Sequence, residues 1–344
     1  MKHILPQLLL LSLAPLAAAQ AAGTPHYHIT QQLALPGDEG WDYLAYEQGG
    51  NRLFVSHGTR VLVVDTGKLA IVGEIPDTAG VHGIALAPEL DRGYVSAGRA
   101  GTVVVFDLKT LARLKEIKVT GDNPDAILYD PATQRVFTFN GRGRNATAID
   151  ARTDEILGTI PLDAKPEFAA TDGKGHVYVN LEDKNSLAVL DPQKLSVSAV
   201  WPLAGCEEPS GLALDAVRGH LFPVCANKVM PVVDTASGKV LGSAPIGDGP
   251  DAAAFDPGTA LAFASCGEGV LTVVHVARSG RPTVVQSAPT QPGARTMALD
   301  LARHRVYSIT ADFSPPPPAT AAQPHPRRAI VPGSVRLLVL ESAF

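Results

Sequence analysis

The chain of 344 residues is 45% hydrophobic and only 18% charged, with 32 Gly and 28 Pro. Apolar residues are too plentiful for a disordered chain, and Gly and Pro follow no three-residue period, which excludes a collagen-like rod. The formal charge of −5, from 29 basic and 34 acidic residues, gives no electrostatic basis for binding nucleic acid.

The N-terminus reads as an address. Lys2 supplies a positive start, and Leu8 to Leu16 form an apolar stretch interrupted only by Ser12 and Pro15. Ala17-Ala18-Ala19 then fits a small-x-small cleavage site, with Ala19-Gln20-Ala21 as a second. The run is too short to span a bilayer. Residues 1–22 are therefore expected to be a cleaved signal peptide, and no Cys follows for a lipid anchor. The expected destination is the periplasm or the outside of the cell, with no membrane span.

From residue 28 onward short apolar runs alternate with turn residues. The first run is His28-Ile29-Thr30-Gln31-Gln32-Leu33-Ala34-Leu35. Then one unit recurs seven times, opening with Gly40-Trp41-Asp42-Tyr43, Gly80-Val81-His82-Gly83, Asn123-Pro124-Asp125-Ala126 and Lys165-Pro166-Glu167-Phe168. Glu208-Pro209-Ser210-Gly211, Gly249-Pro250-Asp251-Ala252 and Gly293-Ala294-Arg295-Thr296 complete the series. The third residue returns after 40, 43, 42, 43, 41 and 44 residues.

Each opening leads into a turn such as Asp130-Pro131-Ala132-Thr133, then a second run such as Arg135-Val136-Phe137-Thr138. A third run often ends in Asp, as in Val63-Val64-Asp65 and Val105-Phe106-Asp107, and a looser fourth follows. Four strands every forty-odd residues make one blade of a propeller. A sandwich accounts for the short strands but not for a fixed repeat. The expected fold is all-β, a seven-bladed propeller of four-stranded antiparallel blades occupying residues 23–344. The last blade has only three runs, so the N-terminal run is expected to complete it and close the ring.

The second and third runs resemble the YVTN-type repeat β-propellers, whose YncE-like members are exported proteins. The motif Tyr-Val-Thr-Asn is matched by Phe54-Val55-Ser56-His57, Tyr94-Val95-Ser96-Ala97 and Tyr178-Val179-Asn180-Leu181. Val-Ile-Asp-Thr is matched by Val63-Val64-Asp65-Thr66 and Val232-Val233-Asp234-Thr235. The pattern breaks at Phe222-Pro223-Val224-Cys225, at Phe263-Ala264-Ser265-Cys266 and where His275 replaces Asp. The resemblance implies the fold and no one reaction, so it carries over no catalytic residue.

First strands line a propeller's channel, so the third residues of the seven units should meet at one mouth. They are Asp42, His82, Asp125, Glu167, Ser210, Asp251 and Arg295, six of them ionisable. Second-strand ends, among them His57, Asn140 and Asn180, are expected beside them. Together they make a candidate binding site for a small molecule or a protein partner. Asp42, His82, Asp125, Glu167 and Asp251 are the candidate ligands of a divalent cation, with oxygen suiting calcium or magnesium and His57 or His82 adding a nitrogen for a transition metal. Solvation of a polar channel is the simpler account of the same residues.

No Gly-x-Ser-x-Gly, His-Glu-x-x-His or Cys-x-x-Cys occurs. The expected role is non-catalytic binding by a monomer. The alternative is a metal-assisted hydrolase or lyase of lactonase type at the channel mouth, a reading that rests on fold analogy.

Of three cysteines, Cys225 and Cys266 are one repeat apart, too far for a bridge between equivalent positions on neighbouring blades. Cys206 enters blade 5 on the face where Cys225 ends a strand, so Cys206–Cys225 is the expected disulfide. Cys266 is left as a core residue or free thiol. Residues 312–334 interrupt the last blade with Pro315-Pro316-Pro317-Pro318 and Pro324-His325-Pro326-Arg327-Arg328. YncE-like proteins carry similar Pro-rich segments there. Such a segment is stiff and extended. It either straps the surface or covers the mouth and offers Arg327 and Arg328 to a partner.

Overall fold

The computed structural model describes residues 26–318 and 328–343. The expected signal peptide and Arg327 lie outside these residues. Seven four-stranded antiparallel sheets follow one another around a ring. Blade 1 is Trp41–Glu47, Arg52–His57, Arg60–Asp65 and Ala70–Ile75, each strand hydrogen-bonded to the next. Blades 2 to 6 repeat this order in sequence. Blade 7 differs. Its strands Met297–Asp300, Arg305–Thr310 and Arg336–Ala343 are completed by His26–Ala34, which pairs antiparallel with Arg336–Ala343.

The burial pattern explains why the repeats need each other. Middle strands are buried on both faces, as in Leu53, Phe54, Val55 and Val61 to Val64. One set of alternate side chains packs on the preceding blade and the other on the following blade. One cluster joins Phe54 and Val63 of blade 1 to Val95, Val104 and Phe106 of blade 2. No blade has a core of its own.

Cys206 and Cys225 form the disulfide, with Cα atoms 5.4 Å apart, and Cys266 is free and buried. Burial pushes the Cys266 thiol up to about 11, so it stays protonated and packs as a small apolar group. The bridge fastens the segment leading to Ser210 onto the end of the second strand of blade 5. Replacing both bridged cysteines by Ala should lower stability by about 3 kcal/mol, for a loop of this length. Equal denaturation midpoints for wild type and variant under oxidising conditions would contradict that.

Candidate functional site

The side chains at the mouth are aimed by a recurring backbone irregularity. In the first strand of blades 1 to 6 the register slips at the third residue of the repeat, between Trp41 and Leu44, Val81 and Ile84, Pro124 and Ile127, Pro166 and Ala169, Pro209 and Leu212, and Pro250 and Ala252. A bulge of this kind re-aims a side chain out of the pleat.

Hydroxyl and amide groups of the neighbouring second strands hold the bulges in place. The Ser56 hydroxyl accepts from the backbone N–H groups of Asp42 and Tyr43. Ser96 donates to the Asp125 carbonyl, Asn180 to the Ser210 and Gly211 carbonyls, and Ser265 to the Arg295 carbonyl. Each of the bonds from Ser96, Asn180 and Ser265 runs to the following blade. A Cβ on Gly211 would lie 2.5 Å from the Asp251 carbonyl oxygen, so a side chain there would force blades 5 and 6 apart.

The ring residues draw together unevenly. His82 Nδ1 lies 2.5 Å from Asp42 Oδ2 and 3.6 Å from Asp125 Oδ1. One ligand atom from each of Asp42, His82 and Asp125 falls within 4.8 Å of the others. Glu167 pairs with Lys165 at 2.8 Å, and Lys165 also pairs with Glu182. Across the mouth Asp251 lies 3.2 Å from Arg295 Nε. Ser210 instead donates to the Pro250 carbonyl at 3.1 Å and serves the joint between blades 5 and 6.

Asp125, Asp251 and Glu167 bind protons more tightly than free carboxyls do. Burial, reinforced by Asp42 and opposed by His82, lifts Asp125 to about 6. Burial also lifts Asp251 to about 6, although Arg295 acts against it. Glu167 is raised by burial first and by Asp125 second, against the Lys165 hydrogen bond. For His82 burial opposes the charge, but the Asp42 hydrogen bond and the fields of Asp125 and Glu167 outweigh it and raise the pKa. The mouth concentrates negative potential in a partly desolvated setting and takes up protons to relieve it.

Two aromatic residues of the site escaped the sequence reading. Tyr43 of blade 1 and Phe168 of blade 4 stack across the channel, with centroids 4.5 Å apart and planes 21° apart. The buried Tyr43 hydroxyl has no hydrogen-bond partner among the described residues. Burial and the nearby Asp125, Asp42, Glu167 and Asp251 carboxyls raise its pKa well above that of free tyrosine. The fourth residue of the repeat carried the signal: it is Tyr43 or Phe168 in two units and Gly, Ala or Thr in the other five.

Three expected residues belong elsewhere. His57 is wholly buried, 3.4 Å from Glu39, and burial lowers its pKa. Asn140 is wholly buried and donates to Asn145 and Thr147 within its own blade. Asn180 is wholly buried and committed to the joint between blades 4 and 5. None of the three offers surface to a ligand.

A cavity of about 550 Å³ opens beside the ring. Its walls are Gly40, Trp41, Gly267, Pro292, Gly293, Arg295, Phe313, Arg328 and Ile330. Phe313 and Ile330 come from the two ends of the Pro-rich insertion and bridge antiparallel to one another. The ends of the insertion thus form part of the mouth, and Trp41 touches Phe313 with ring centroids 6.3 Å apart.

No family model matches the chain. Antigen Lp49 of Leptospira interrogans serogroup Icterohaemorrhagiae serovar copenhageni is 26% identical over 249 residues, 66% of this chain and 53% of that protein. YncE of Escherichia coli K12 is 28% identical over 130 residues, 34% of this chain and 36% of that protein. The matched region thus spans about half of the first relative and about a third of the second.

Among solved structures, RRP9 WD40 repeats superpose with a TM-score of 0.76 at 8% identity, covering 92% of this chain and 100% of that one. A chain of Kuenenia stuttgartiensis hydrazine synthase gives 0.67 at 19% identity, covering 85% and 96%. These likenesses show the fold alone. The repeat pattern, the seven four-stranded blades and the similarity to YncE and Lp49 together support a YncE-like β-propeller.

Proposed function

We propose that the chain is an exported, monomeric, non-catalytic binding protein that takes a small molecule or a protein partner at its channel mouth, with a divalent cation as part of the site. The observation that carries this reading is the convergence of Asp42, His82 and Asp125 within 4.8 Å, each aimed inward by its own bulge. Two carboxylates and an imidazole nitrogen suit calcium, magnesium or a borderline transition metal. The same negative field repels a phosphate backbone, which argues against nucleic acid. Among the described residues no helix is long and apolar enough to cross a membrane.

Titration with calcium, magnesium and zinc tests the reading. One of them should raise the melting temperature, reaching about 2.7 kcal/mol of added stability at a hundredfold excess over its Kd. Asp125→Asn should abolish the gain. An unmoved melting temperature with no retained ion by native mass spectrometry would remove the cation from the reading.

A second reading has one observation in its favour. Burial and Asp125 raise the pKa of Glu167 near the Asp42–His82–Asp125 group, the direction a general acid needs. It makes the chain a metal-assisted hydrolase or lyase of lactone type. Metal-dependent lactone opening that Glu167→Gln abolishes would select it, whereas turnover no faster than buffer would leave binding alone.

A further inference from the structure

We propose that the cavity between blades 7 and 1 is a binding site for a small organic anion with a flat apolar body, such as an aromatic carboxylate. The inference takes its location from the mouth-face reading but uses different chemistry. The neighbouring ring is rich in carboxyls, whereas the described walls of the cavity include no Asp or Glu and two arginines, Arg295 and Arg328. A volume of about 550 Å³ falls in the range of small-ligand pockets.

The arginines have donors to give. The Arg295 side chain is 54% exposed, and its ion pair with Asp251 leaves several of the five guanidinium N–H donors for another acceptor. Arg328 is exposed at the end of the insertion. A planar carboxylate matches the guanidinium fork in a way that a compact ammonium group does not.

The apolar part has its own wall. Trp41, Phe313 and Ile330 line one side, and Trp41 and Phe313 already touch in a tilted arrangement. A ligand ring therefore lies against their exposed flank rather than between them. Gly293 keeps Phe313 in place: a Cβ there would lie 2.6 Å from the Phe313 ring. Gly40 and Gly267 line the cavity without side chains of their own. A second cavity of about 340 Å³ shares Pro292, Phe313 and Arg328, which leaves room for a substituent.

The chain has two tryptophans, so in a Trp201→Phe background Trp41 alone reports. The probes are 2-naphthoate, its neutral amide 2-naphthamide, and the cation 2-naphthylmethylamine. Naphthoate should quench Trp41 saturably, with the amide and the amine at least about tenfold weaker. Arg328→Gln should weaken naphthoate by about fivefold or more while leaving the melting temperature unchanged, since that side chain is exposed.

Equal binding of acid and amide, no saturable quenching by about 1 mM, or indifference to Arg328→Gln would each overturn the proposal. A retained response to calcium, magnesium or zinc beside a failed naphthoate titration would sink this site and leave the cation reading standing. The reverse result would do the opposite.

Discussion

A chain beginning at Pro36 is expected to lose cooperative folding altogether. His26–Ala34 pairs through eight residues with Arg336–Ala343 and is the only strand on the outer edge of blade 7. It also holds blade 7 to blade 6. The wholly buried Tyr27 packs edge-on against Phe263, with centroids 5.2 Å apart, and its hydroxyl donates to the His304 carbonyl. Gln286 of blade 6 grips the Tyr27 backbone from both sides, accepting its N–H and donating to its carbonyl, each at 2.8 Å.

Without the strand, Leu338 and Leu340 lose their cover and a raw edge invites pairing with other chains. Circular dichroism should then show no sigmoidal melt, and gel filtration should show aggregate. A truncated protein that melts cooperatively near the full chain would refute this. Tyr27→Ala, which keeps the backbone pairing, should cost about 3–5 kcal/mol and leave the ring intact.

The mouth makes the second large prediction, that stability falls as pH rises from mildly acidic to mildly basic. Asp125 and Asp251 move from an ordinary 3.8 to about 6 on folding, and His82 is also raised. Between about pH 4 and 6 the unfolded carboxyls have lost protons that the folded ones keep, so each further rise in pH favours unfolding. His82 extends the trend: its contribution is complete below its unfolded pKa and is lost as pH passes its folded value.

Each of the two aspartates is worth about 2–3 kcal/mol across this window, an upper figure for groups that remain partly exposed. The acid side is limited by other residues. Asp172 and Asp300 are lowered because hydrogen bonds outweigh their burial, and their contribution disappears as they protonate. The optimum therefore falls at mildly acidic pH. Asp125→Asn should flatten the decline and raise the melting temperature at pH 8. A stability profile that climbs from pH 5 to pH 8 would show the mouth to be no site of proton uptake, and so would a variant with the wild-type slope.

The repeat made the fold readable, because a blade is a local unit and its four strands recur at nearly constant spacing. The ring was readable for the same reason: aligning seven units puts Asp42, His82, Asp125, Glu167, Asp251 and Arg295 in one column. What turns that column inward was not readable. The bulges depend on a slip between two strands, and nothing in Asp42 or Asp125 announces it.

His57, Asn140 and Asn180 were misplaced for a related reason. They stand at strand ends facing the mouth, but whether such an amide or imidazole opens to solvent depends on the partners that tertiary packing supplies. Asn180 found the carbonyls of blade 5, and Asn140 found Asn145 and Thr147. The disulfide was readable because Cys206 and Cys225 flank one hairpin on one face, where topology alone limits their separation. The cavity was not, since it needs Trp41 and Arg295 from opposite ends of the chain and the two ends of an insertion whose path no repeat dictates.

The closing strand also separates the order of the ring from the order of the chain. His26 and Ala343 are partners in the same ladder, so the two ends of the described chain lie side by side. A short peptide can join them, and new termini can be opened in a surface loop between any two blades. Each such circular permutant would place the chain ends at a different point of the circle while keeping the same seven blades as neighbours. A tag or fusion partner could thereby be moved around the rim, toward or away from the channel mouth, without altering a residue of the mouth itself.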